Sequence, residues 1–387
     1  MTQGVIALTL ILLGTSQTFA SDLQKLKPPP EGKLYHGVFA GGPIPNGEEQ
    51  IKRTYVESYK RQAGTELAWV YFSHAWSCGQ SFPVETATMI RDDCGAVPFI
   101  RLMLRSSDER EDADDETVYT LANIIDGMHD PALAKWAESA KDFASPLIVE
   151  YGTECNGAWF PWNGKHNGGG ETQYCDPQKA DGPERFQQAY RHIVELMRNK
   201  GAANITWVFH VNYHDNAELD DEPDWNKFEN YYPGDEWVDW LAVSVYGAQS
   251  AEQSWEPATF RESMDDVHKR LQCMAANKKI IVAEFGSTAG YYESHVNRPL
   301  FAEQFKPGVW AGAALDDLLG PERRWPNVIG FAWWNEAWTN DKDADHPDPA
   351  NDTNMCLETV HDLSRAFREK LCRYADSVES TPHVHER

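Results

Sequence analysis

The sequence predicts an α/β chain whose strands close into one (β/α)8 barrel with long βα loops. Three observations carry that expectation. Eight short apolar strands alternate with longer segments of helical spacing, a rhythm that implies parallel strands joined by right-handed crossovers. The rival arrangement is an open doubly wound sheet, yet no GxGxxG follows the first strand and no Walker A sequence occurs, so its usual nucleotide sites are missing. Finally, the C-terminal ends of the strands are dense in polar and aromatic residues, where such a barrel gathers its functional groups.

In chain order the strand candidates are Leu34–Ala40, Glu66–Phe72, Val97–Met103, Pro146–Gly152, Asn204–His210, Trp240–Tyr246, Lys279–Glu284 and Asn327–Trp334. Between the fourth and fifth, Phe186, Tyr190, Ile193, Val194 and Met197 fall on one face of a helix over 183–200. Segments 48–62, 81–93, 129–143, 257–276 and 357–374 behave similarly. A chain of 387 residues is within reach of a single barrel domain, here expected over 34–374. Residues 21–33, with Pro28-Pro29-Pro30, read as an extended lead-in, and 375–387 as a loose C-terminal tail.

Ahead of the lead-in, the apolar run Val5 to Gly14 and the small-residue site Thr18-Phe19-Ala20 read as a secretory signal peptide over 1–20. The alternative is a buried N-terminal segment, since no Lys or Arg precedes the run. It is too short for an ordinary membrane span. The expectation is a secreted or periplasmic monomer with no membrane insertion after signal removal. The net charge of -25 has no contribution from residues 1–20. Such a field repels nucleic acid and anionic lipid and favours a neutral substrate over a polyanionic one. Seven cysteines, at 78, 94, 155, 175, 273, 356 and 372, show no CxxC spacing. An exported chain permits disulfides, and the local pairs would be Cys78–Cys94, Cys155–Cys175 and Cys356–Cys372. Several could equally be buried thiols.

The strand ends supply the chemistry. His74 and Trp76 follow the second strand; Glu154, Asn156, Trp159 and Trp162 the fourth; His210 and Asn212 the fifth. Tyr246 ends the sixth, Glu284 the seventh, and Trp333, Trp334, Asn335 and Glu336 close the eighth. Sugar rings stack apolar C–H faces on aromatics, and their hydroxyls need Asn, His, Tyr and carboxylate partners. Cleaving a glycosidic bond needs two carboxyl groups, one protonated and one ionised, and Glu154 and Glu284 suit that need. A polysaccharide is therefore the expected partner, and no cofactor is required. Asp341, Asp343, Asp345 and Asp352 match positions 1, 3, 5 and 12 of a calcium loop, although His346 replaces the usual Gly and a solvated acidic loop is the simpler reading.

Four segments resemble glycoside hydrolase family 26, a retaining clan A family best known for β-mannanases. They are Glu154-Cys-Asn-Gly-Ala-Trp159-Phe160-Pro-Trp162; Tyr231-Tyr232-Pro233-Gly234-Asp235 leading to Val238-Asp239-Trp240 and Tyr246; Ile281-Val282-Ala283-Glu284-Phe285-Gly286-Ser287; and Trp333-Trp334. The resemblance spans roughly residues 34–340. It implies Glu154 as general acid/base, Glu284 as nucleophile and Tyr246 as a hydrogen-bond partner of that nucleophile, in an endo-acting enzyme on neutral β-linked polysaccharide such as β-1,4-mannan. Two positions depart from the family pattern: Thr153 stands where His is usual, and Glu150 where Arg is usual. A buried Glu150 would need a partner, and Arg101 on the neighbouring strand is the candidate. Another β-glycan or xylan, or a barrel that only binds glycans, are the alternatives.

Overall fold

The computed structural model describes residues 24–43, 51–107, 110–215, 223–249, 258–288, 303–340 and 353–383. Eight parallel strands run β1 (Leu34–Gly42), β2 (Trp69–Ala75), β3 (Val97–Met103), β4 (Leu147–Tyr151), β5 (Ile205–Asn212), β6 (Trp240–Tyr246), β7 (Lys279–Gly286) and β8 (Val328–Trp338). Each pairs with the next, and β1 pairs with β8 from Tyr35↔Gly330 to Gly42↔Glu336, closing the barrel. Two short strands extend the ladder, β9 (Thr353–Asn354) antiparallel to β8 and β10 (Val378–Glu379) parallel to β1.

The crossovers are α1 (Arg53–Ala63), α2 (Val84–Thr88), α3 (Leu121–Ile125), α4 (Asp130–Asp142), α5 (Asp181–Asn199), α6 (Phe260–Met274), α7 (Pro307–Leu319) and α8 (His361–Arg373). Their ends follow local rules. Thr259 and Glu262 form a reciprocal capping box at the start of α6, and Gly64, at φ 76°, terminates α1 in a left-handed cap. Helix α7 has no clear amphipathic stripe. It buries Trp310, Ala311, Ala314, Leu315, Leu318 and Leu319 together with Pro307, Gly308 and Gly312, and such an almost uniformly apolar segment gives no 3.6-residue contrast to read.

Residues 375–383, expected to be part of a loose tail, are tied down. Besides β10, Lys33 pairs with Glu379 at 3.1 Å and the Lys27 amide donates to the His383 carbonyl. A parallel strand partner satisfies backbone groups that a free tail would leave to water. The signal segment 1–20 lies outside the described residues. All seven cysteines are free thiols. Cys155 is buried while Cys175 is exposed, and the other two proposed pairs split the same way, Cys94 and Cys356 buried against Cys78 and Cys372 exposed. The expected disulfides are therefore absent: the buried member of each pair faces the core.

Candidate active site

Neighbouring strands carry the site's side chains to one level by register. Arg101 lies beside both Ser73 and Glu150, Phe39 beside Tyr71 and Trp334, and Ser244 beside Glu284. These residues fill the barrel interior toward its C-terminal mouth. The β6–β7 ladder skips a residue between Val282 and Glu284, an irregularity of the kind that re-aims a side chain next to a functional site.

Glu284 is 4% exposed. It accepts O–H hydrogen bonds from Tyr71 on Oε1 at 3.0 Å and from Tyr246 on Oε2 at 2.8 Å, and the Arg101 Nε lies 3.8 Å from Oε1. Burial pushes its carboxyl up to about 7, the charge of Glu154 adding to the rise while Arg101 and His210 oppose it. Beneath it, Glu150 is fully buried. The same Tyr71 hydroxyl lies 2.5 Å from its Oε1, His210 Nδ1 meets its Oε2 at 2.8 Å, and Arg101 Nε stands 3.7 Å away. Burial alone would raise Glu150, but His210, Arg101 and the Tyr71 hydrogen bond outweigh it and hold the carboxyl below its ordinary range. His210 is moved the opposite way, since Glu150 overcomes burial and raises the imidazole. Its other nitrogen meets Ser244 Oγ at 2.8 Å. The Glu150–Arg101 pairing expected from sequence is thus present, with His210 as a closer partner. One ligand-type atom from each of Glu150, His210 and Glu284 lies within 4.8 Å of the others. Arg101 already supplies positive charge there, and Glu150 raises the His210 imidazole.

Glu154 reaches the same mouth by a different route. Strand β4 ends at Tyr151, so strict alternation does not carry past it. Gly152 turns at φ 69°, and Glu154 itself sits at φ 46°, a region that residues with a Cβ rarely enter and that marks functional turns. A Cβ on Gly152 would stand 2.4 Å from the Phe186 ring. Glu154 Oε1 accepts from Asn212 Nδ2 at 2.8 Å and Oε2 from Trp159 Nε1 at 3.0 Å. Trp159 lies so close over Gly157 that a Cβ there would be 2.6 Å from the indole.

The sequence profile of the family described as Glycosyl hydrolase family 26 matches residues 105–292, the stretch that holds Glu150, Glu154, His210, Tyr246 and Glu284. Over that stretch, just under half of its length, the chain is similar to glycosyl hydrolase family 26. Among curated proteins, Endoglucanase H of Acetivibrio thermocellus is 31% identical over 171 residues, which is 44% of this chain and 17% of that protein's length. Among solved structures, a family 26 β-mannanase from Bacteroides ovatus superposes with a TM-score of 0.54 at 15% identity, covering 92% of this chain and 95% of that one. A β-mannanase from a symbiotic protist of the termite Reticulitermes speratus gives 0.52 at 13% identity, covering 91% and 90%. These likenesses show a shared barrel.

At the two positions where this chain departs from the pattern it resembles, other residues make the contacts. Thr153 Oγ1 meets His210 Nδ1 at 2.9 Å, so a histidine from β5 contacts the segment where the family carries one on β4. Other residues singled out by sequence take different roles. His74 follows the inward Ser73 and faces outward, accepting from Trp136 of α4 at 3.4 Å, and burial lowers its imidazole to about 4. Trp76 is buried against Tyr119 and His129. Asn156 spends its amide on the Asn212 backbone, Asp215 and the His214 carbonyl, as a loop staple. Trp162 is buried, stacked on Phe160 and bonded to the Thr153 carbonyl at 2.8 Å. Trp333 points out to Phe285, Phe367 and the Met355 carbonyl. Each of these five spends its side chain on protein contacts; His74 and Trp333 sit on strands, which send alternate side chains to opposite faces, while Trp76, Asn156 and Trp162 stand beyond the strand ends. Trp334 does face inward, stacked on Phe39 at 3.7 Å with its Nε1 3.1 Å from Glu336 Oε2. The calcium-loop candidates Asp341, Asp343, Asp345 and Asp352 lie outside the described residues. Sequence reading missed Tyr71, which bridges both inner carboxylates; two residues before Ser73 on the same face, it carried no signal beyond alternation.

Proposed function

We propose that the chain is a retaining endo-glycoside hydrolase acting on neutral β-linked polysaccharide, with Glu284 as nucleophile and Glu154 as general acid/base. The observation that carries this reading is the pair of carboxylates, on the seventh strand and after the fourth, each held by two donors, with the charge of Glu154 felt at Glu284. Two phenolic O–H groups aimed at Glu284 suit an ionised acceptor, which a nucleophile must be. Glu154 stands on a turn rather than in a strand, with Trp159 and Asn212 fixing its oxygens toward the mouth. In the first step Glu284 attacks the anomeric carbon while Glu154 protonates the leaving oxygen. In the second, Glu154 takes a proton from the water that releases the sugar. Trp334, beside Glu336, supplies an apolar surface for a sugar ring.

β-1,4-Mannan is the substrate we favour, on the family match. A second reading, a β-glucan, is favoured by one observation: the curated relative matched in sequence is named an endoglucanase. Reducing-end release from purified β-mannan, β-glucan and xylan separates the two, and product lengths report endo action. Turnover on none of them, with binding retained, would instead favour a glycan-binding barrel. Retention is tested by azide rescue of Glu154→Ala: a β-glycosyl azide product supports it, and a product of inverted configuration from the unmutated enzyme refutes it. Export rests on the apolar run and Ala20 site alone, and N-terminal sequencing of protein recovered outside the cytoplasm tests it.

A further inference from the structure

Tyr71 has one proton and two carboxylates to satisfy. Its hydroxyl lies 2.5 Å from Glu150 Oε1 and 3.0 Å from Glu284 Oε1, and an ionised carboxylate donates nothing. One O–H cannot lie along both lines. If both carboxylates were ionised, one of those oxygen–oxygen contacts would hold no proton, between two side chains that are both buried. The second oxygen of each carboxylate is already engaged, by His210 on Glu150 and by Tyr246 on Glu284.

We propose that Tyr71 is a positioning residue that couples Glu150 to Glu284 by sharing a single proton, so that the two buried carboxylates do not titrate independently. The inference rests on Glu284 being the nucleophile for its meaning, though not for its test. In one state Glu284 is protonated and donates to the Tyr71 oxygen, while Tyr71 donates to Glu150. In the other, the Glu284 proton has left the site and the Tyr71 O–H turns to Glu284 Oε1. Glu150 then relies on His210 and Arg101. Tyr71 keeps its own proton in both states, in line with a phenol held well above its ordinary value by burial and the two carboxylates. During turnover the hydroxyl would follow the charge, toward Glu150 when Glu284 is esterified and back when the carboxylate is regenerated. The charged and titratable groups facing Glu284 are Tyr71 from β2, Arg101 from β3, Glu150 and Glu154 from β4 and its loop, His210 from β5 and Tyr246 from β6. Glu150 stands at a position where the family pattern has an arginine, so this device belongs to the divergence of this chain.

The test is a carbon-13 NMR titration of the glutamate carboxyls in the full chain, with Glu150 and Glu284 assigned through Glu150→Gln and Glu284→Gln. In the unmutated protein both resonances are expected to move through the Glu284 transition together. Tyr71→Phe is expected to raise the Glu284 midpoint by about one pH unit, a tenfold change in proton affinity, and to silence the response of Glu150. Tyr246→Phe should also raise the Glu284 midpoint but leave Glu150 responding. A Glu284 midpoint unmoved in Tyr71→Phe, or a Glu150 response that survives it, overturns the proposal. Should Tyr71→Phe fail to fold, the unmutated titration decides, because a Glu150 resonance that ignores the Glu284 transition is sufficient to refute coupling. The readout needs no substrate, so failure of the hydrolase reading and failure of this inference are seen separately.

Discussion

The two halves of the site hold the same functional group by opposite means. Around Glu284 and Glu150 the barrel interior is a charged network: Arg101, His210 and two phenols, all buried, with position set by strand register. Around Glu154 the β4 loop is mainly an amide scaffold, anchored at its edge by Asp215. Asn163 bonds the Cys155 carbonyl and Asn226, Asn226 bonds the Asn156 carbonyl and accepts from Tyr231, and Asn156 bonds back to the β5 end. The difference teaches where each carboxylate can be perturbed. The inner one answers to charge, because little solvent screens its neighbours; the outer one answers to backbone geometry, because a left-handed turn aims it.

That contrast is broken most severely by removing Glu284. Glu284→Ala is expected to lower kcat by about 10⁴-fold or more, the scale for loss of a covalent nucleophile, with no glycosyl-enzyme seen by mass spectrometry; a modest loss would transfer the role elsewhere. Next comes Glu150→Gln, which takes from Arg101 and His210 their closest carboxylate. Denaturant unfolding should show a loss of about 3–5 kcal/mol, and a change under about 1 kcal/mol would mean the pair carries no net weight. The sign of its pH dependence follows from the two shifts. Glu150 is held below its ordinary 4.5 and His210 above its ordinary 6.5, so the difference from the unmutated protein should be largest between those values. It should shrink as acid protonates Glu150 or alkali deprotonates His210.

On the outer side, Asn212→Ala removes one of two donors to Glu154 and should lower kcat/KM by about ten- to a hundredfold, as expected for a hydrogen bond to a charged group. Its effect should vanish on substrates whose leaving group needs no protonation; an equal loss on such substrates would place Asn212 in binding instead. A milder probe is pH. Because Glu284 is raised to about 7 and the proposed nucleophile has to be ionised to attack, kcat/KM should rise with pH through about that value in the free enzyme. Linkage gives the converse for stability: the proton-bound form is favoured in the fold, so this group's contribution is full below 4.5 and lost as pH rises through about 7. An acid limb near 4.5 would indicate that the charge network fully offsets burial. The smallest expected effect is Trp162→Phe, which keeps the stack on Phe160 but loses one bond to the Thr153 carbonyl. It should cost about 1 kcal/mol in thermal unfolding and leave kcat/KM within about threefold.

Much of this was legible in the chain itself. Strand rhythm predicted eight barrel strands, with β3 and β6 bounded as observed and the others within a few residues, since runs such as Ile280-Ile281-Val282 are buried on both faces and flanked by helical spacing. The places of Glu284 at a strand end, of Glu154 just beyond one, and of Arg101 as the counterpart of Glu150 follow from strand order and parallel pairing, while the turn that aims Glu154 does not. Helix α7 escaped because a segment apolar at nearly every position except Asp316 and Asp317 shows little period to detect. Tertiary structure alone decided which polar residues enter the mouth. His74 and Trp333 differ from Ser73 and Trp334 by one position, and one position on a strand is the difference between inside and outside. It also decided the proton arrangement, because Tyr71, Glu150, His210 and Glu284 come from four different strands. Their 2.5 to 3.0 Å contacts exist only once the barrel has closed and excluded the water that would otherwise separate those charges.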